Sequence, residues 1–174
     1  MKLAEQVTGR PSTPSINELR YAGRKIIEAA KASATGDEAS AKDLLRDARM
    51  DCLRAQHDAV DVAVALMAEN VAVTTRQVGM ERTAAAFPEV GDFIMKLSSA
   101  QQVIADTRAD RDERRLRYET LLTADLPVLK VSFDKLKACQ PYLIDDVRQA
   151  RRREFFGYAV GAAGVLVAIL ALIL

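Results

Sequence analysis

Residues 37–77, DEASAKDLLRDARMDCLRAQHDAVDVAVALMAENVAVTTRQ, contain neither proline nor glycine. Leu45, Cys52, Ala59, Leu66 and Val73 recur there at every seventh position, with Ala48, Ala55 and Val62 interleaved. An apolar repeat of seven sustained over this length predicts one long helix whose stripe is buried against another helix. The stripe is rich in alanine, so the backbones can approach closely, which suits tight antiparallel packing. Glu69 breaks the interleaved series, and Gly79 ends or bends the helix.

Upstream, Thr35-Gly36-Asp37-Glu38 supplies a break: Gly36 suits the position after a helix end, and Asp37 or Thr35 can cap the helix that follows. So short a loop implies an antiparallel hairpin. Its first arm is a helix from Ser15 to about Ala34, opened by the capping-box pattern Ser15-Ile16-Asn17-Glu18. Ile16, Leu19, Ala22, Ile26, Ala29 and Ala30 give it one apolar stripe. Residues 1–14, with Pro11 and Pro14, are expected to be a flexible lead-in without regular structure.

Downstream, Pro88 is placed to begin a helix whose apolar positions are Val90, Ile94, Leu97 and Ile104 and then Tyr118, Leu121 and Leu122. It is expected to run on through the charged segment from Asp106 to Arg117, supported by Asp110 with Arg114 and Glu113 with Arg117 at i,i+4. That segment reads as a solvated face. Pro127 restarts the chain in a helix carrying Val128, Leu129, Phe133, Leu136 and Ala138, and Pro141 divides it from the next. No strand alternation or internal repeat is present. The expected fold is all-α: an antiparallel bundle of four to five helices over residues 15–153, followed by a single C-terminal transmembrane helix over 154–174.

The basis for that last element is the run from Phe155 to Leu174, which contains no charged residue. Twenty helical residues reach about 30 Å, the hydrocarbon thickness of a bilayer. Its eleven Leu, Ile, Val and Phe residues favour insertion by roughly 3 to 7 kcal/mol before the glycines subtract something. Arg148, Arg151, Arg152 and Arg153 precede it and place that flank in the cytoplasm by the positive-inside rule, with Phe155, Phe156 and Tyr158 as interfacial belt residues. No secretory-type apolar run opens the chain, so the body is expected on the same side. Gly157 and Gly161 form G-x-x-x-G, and Gly164 with Ala168 extends the small residues, a pattern that lets spans associate by backbone contact.

Composition narrows the function. Twenty-five basic residues against 24 acidic leave a net charge of +1, and there is no Trp. Neither a phosphate-neutralising face nor a set of stacking platforms is offered, so nucleic acid is not an expected partner. Cys52 and Cys139, far apart and without Cys or His neighbours, read as free structural thiols. His57, the single histidine, has only Asp61 at i+4 and reads as an exposed or interface residue. No phosphate loop, nucleophile elbow or paired-cysteine motif appears, so neither enzymatic activity nor a cofactor is expected. The reading that remains is a bacterial, tail-anchored, non-enzymatic bundle that recruits or organises partners at the inner-membrane surface. Its partners would be the bilayer and either a second copy or another helical protein. A membrane-disrupting effector is the alternative, disfavoured by a span without polar lining. An enzyme of unrecognised type is the third.

Overall fold

The computed structural model describes the backbone of residues 2–9, 11–107 and 111–173, and side chains there except at 111, 112 and 159–173. Among the described residues the fold is all-helical. In chain order the elements are α1 (Lys2–Thr8), α2 (Thr13–Ala34), α3 (Glu38–Val78), α4 (Met80–Ala86), α5 (Val90–Asp106), α6 (Arg111–Thr120), a π-helical turn (Leu121–Asp125) and α7 (Leu126–Ile173).

The long helix α3 is the axis of the molecule, and it does two jobs along its length. Its first half pairs with α2 alone as a projecting hairpin, which we call the arm. Its second half, from Ala59 to Val71, joins α1, α5, the π turn and α7 around a common core that includes Phe87, Phe93, Leu126, Phe133 and Leu136. Each of the larger of these side chains contributes about 1.5–3 kcal/mol by leaving water. The core's buried threonines do not break it, because each hydroxyl donates to a carbonyl one turn back: Thr74 to Asn70, Thr83 to Gly79 and Thr107 to Val103, at 2.7–2.8 Å.

The hairpin turn is as expected. Gly36 has φ +82°, and the Asp37 carboxylate accepts from the Ser40 N–H at 3.1 Å. Gly79, at φ +93°, ends α3. Four expectations need correction. First, residues 1–14 are not without structure: α1 is short, but Ala4 and Val7 stand three apart and are both buried in the core. Packing rather than propensity holds so short a helix. Second, α2 starts at Thr13, capped by the Ser12 hydroxyl, with Pro14 in its first turn; Ser15 is inside the helix.

Third, only part of the expected stripe forms the seam: the interleaved row of Ala48 and Ala55 closes on α2, while Leu45 and Cys52 face outward. The residues of α3 that close on α2 are Ala41, Ala48 and Ala55, set antiparallel to Ala29, Ala22 and Ser15, all buried. Of the row expected to form the seam, Leu45 is 52% exposed and Cys52 is exposed. Ala59 is buried, and Leu66 is partly buried against the core. Val73 is intermediate. A step of four residues turns a helix by only about 40°, so both rows share one periodicity. The alanine row wins because it permits the closer approach.

Fourth, the C-terminal half is divided differently. Helix α5 stops at Asp106, where Thr107 caps it, and α6, the π turn and α7 follow one another without a break from Arg111 to Ile173. Pro127 is accommodated just after the π turn, in which the Leu126 N–H reaches back five residues to the Leu121 carbonyl. The wider turn opens room where a proline ring would otherwise meet a carbonyl. Pro141 likewise sits inside α7 and does not divide it.

Candidate functional site

Two features stand apart from ordinary core packing, one inside the body and one leaving it.

The first is a polar cluster between α3 and α6. Tyr118 is 1% exposed, and its hydroxyl donates to Asp61 Oδ1 at 2.6 Å across 57 residues of sequence. The His57 ring lies 4.1 Å from the Tyr118 ring, tilted by 36°, and the Arg114 guanidinium sits 5.3 Å over the same ring. Burial, with Arg114 nearby, lowers the His57 pKa to about 4, so the imidazole is neutral at pH 7. Burial and the bond to Asp61 push the Tyr118 hydroxyl above its ordinary value. His57 is therefore buried at the α3–α6 interface.

A neutral histidine and a firmly protonated phenol carry no ready nucleophile. The arrangement works as a latch that fixes α6 on α3. Beside it an open groove of about 410 Å³ is lined by Asp61, Val62, Ala65, Gln101, Ile104 and Ala105. Its walls are mostly aliphatic. Among the described residues no group of three or more His, Cys, Asp or Glu is placed to hold a metal ion.

The second feature is the exit of α7. Its base is tied down at several points: Gln140 Nε2 donates to Thr74 Oγ1 at 2.6 Å, Lys135 pairs with Glu89 at 2.9 Å, and the Cys139 thiol donates to the Ala86 carbonyl at 3.6 Å. Leu143, 6% exposed, is the last core residue. From there to Tyr158 the helix continues for about 22 Å with no buried residue. This stalk carries Arg148, Arg151, Arg152 and Arg153, all exposed. Phe155, Phe156 and Tyr158 follow at 72%, 68% and 79% exposure, uncovered by any part of the body. A Cβ added at Gly157 would meet nothing within 4 Å. Gly161, Gly164 and Ala168 lie outside the described side chains. Among the described residues no helix is long and apolar enough to cross a membrane; the uncharged run from Ala159 onward lies outside that set.

The two features share one direction. As α3 runs from Asp61 to Thr74, the helix packed on it runs from Tyr118 to Gln140. The stalk thus leaves at the C-terminal end of α3, and the arm projects from the opposite end.

Comparison with protein-family descriptions, with curated proteins and with solved structures returns no significant match.

Of the residues singled out in the sequence, the basic and aromatic collar is gathered on one exposed helix, whereas the heptad row is split between surface and core. The sequence marks Tyr118 as an apolar position and His57 with Asp61 as a pair at i+4, but nothing in it brings the three together.

Proposed function

We propose that this chain is a tail-anchored membrane protein whose helical body recruits or organises protein partners on the cytosolic face of a bacterial inner membrane. The observation that carries this reading is the continuity of α7 from Leu126 in the core to Ile173. The same helix that packs the body bears the arginine collar, then the aromatic residues, then the uncharged run. That order, charge then aromatic belt then apolar run, is what a helix entering a bilayer requires. No breaker separates Pro141 from Phe156, so on this reading the anchor and the body move as one piece. The body's open grooves, such as the one lined by Asp61, Val62, Ala65, Gln101, Ile104 and Ala105, are mostly aliphatic and helix-walled, which suits contacts with other proteins.

The test is partitioning of the full chain between membrane and soluble fractions, resistant or not to carbonate extraction. Val165→Arg with Ile169→Arg places two charges near the middle of the run, at about 2.5–3.5 kcal/mol each. We expect the wild type in the extracted membrane pellet and the double variant in the soluble fraction. A wild type released by carbonate would defeat the anchor.

A further inference from the structure

The arm has two unlike sides. Lys25 and Asp51, each three residues past a buried alanine of the seam, meet on one side as an ion pair of 2.8 Å, with Arg54 also on Asp51 at 2.9 Å. In an antiparallel pair, positions three past the seam on both helices fall on one side, and positions four past it fall on the other. The residues four past the seam are Leu19 and Ile26 on α2, with Leu45 and Cys52 on α3. They form an apolar trough, with Ile16 beside it. Leu19, Ile26 and Leu45 are 37%, 49% and 52% exposed.

The α3 bank of this trough is basic. Lys42 and Arg49, one past the seam, are exposed, as is Arg20 on α2. None of the three has an ion-pair partner among the described residues. Glu38, at the tip, is the acid nearest this side, and it is engaged by the Ser33 hydroxyl.

We infer that this trough is a docking site for an amphipathic helix of a partner protein, with an apolar stripe flanked by acidic side chains. Charge decides among occupants. A second copy would bring a basic bank with no acids to meet it, and like charges brought together disfavour association. The bilayer entered by the tail is out of reach: about 40 Å of α3 and about 20 Å of stalk separate it from the trough. An acidic helix answers both the apolar floor and the basic bank. The size is adequate, since a surface as long as α2, about 33 Å, and two helices wide can bury roughly 1,200 Å² over both partners, the lower range of specific interfaces. This deepens the recruiting function proposed above by naming its surface, but the test does not depend on where the tail resides.

The test uses the full chain with nanodiscs of neutral lipid present, whether or not its tail inserts in them, and Cys52 as a native reporter. Two synthetic helical peptides of 21 residues serve as probes, with leucine at heptad a and d and either Glu or Lys at every e and g. The rate at which N-ethylmaleimide alkylates Cys52 is followed by mass spectrometry, with Cys139 as the internal reference. The Glu peptide should slow Cys52 about tenfold at a concentration near nine times its Kd, leave Cys139 unchanged and lose its effect at high salt. The Lys peptide should do nothing. Lys42→Glu with Arg49→Glu, both surface changes, should invert the preference at unchanged Tm. Equal protection by both peptides, or by neither, overturns the proposal. So does protection that grows with protein concentration alone, which would mean a second copy, or that appears when anionic lipid replaces neutral lipid.

Discussion

His57 and Tyr118 are the most informative single residues of the body, because their protonation is tied to the fold. The His57 pKa falls from 6.5 to about 4 on folding, so the unfolded chain takes up a proton between those values and the folded chain does not. Stability from this group is complete above pH 6.5 and is lost as pH falls toward 4, with a ceiling of about 3 kcal/mol. Urea midpoints at pH 7.5, 5.5 and 4 should therefore fall, and His57→Gln should remove most of the decline. A decline of the same size in the variant would assign the effect to carboxylates instead. This contact could not be read from sequence, since Tyr118 and His57 come together only through packing. Arg114 lies in the segment up to Arg117 whose charge pattern reads as solvated, and the structure turns it over the ring of Tyr118, the apolar position just past that segment. Periodicity reports faces and says nothing about which distant face they meet.

Among the elements, α2 and α3 were the most legible: the break at Gly36, the cap at Asp37 and the stop at Gly79 depend on local chemistry and are where it puts them. Two rows only about 40° apart on a helix cannot be told apart by spacing, so the choice between Leu45–Cys52 and Ala41–Ala48 needed the closeness of the backbones. Helix α1 was missed because seven residues with two buried side chains carry too little pattern. The arm's stability rests on small side chains in its seam. Ala22→Leu should force the helices apart at a cost of about 1–3 kcal/mol. Because α2 packs mainly on α3, amide exchange should rise across α2 and the first half of α3, while α5 and the core part of α7 keep their protection. Uniform loss of protection would show that arm and body unfold together.

At the scale of the whole molecule, α3 is the axis and an element projects from each end of it. The arm stands at the N-terminal end of α3, the stalk at the C-terminal end, and the core between them locks α3 and α7 in a fixed relation. All-helical architecture was legible from α2 onward, as was the change from charged to uncharged residues at Phe155. The continuity of α7 through Pro141 was not, because the rule that proline ends a helix is local and the tethers from Gln140, Cys139 and Lys135 are not. That continuity is the centre of the proposed function, and a spin-label scan from Asp145 to Ile169 in bilayers tests it most directly. The account predicts one unbroken helical period, with collision toward a water-soluble nickel reagent high through Arg153 and then falling while collision toward oxygen rises to Val165. A break in the period between Arg153 and Tyr158, or nickel access that stays high past Gly161, would contradict it.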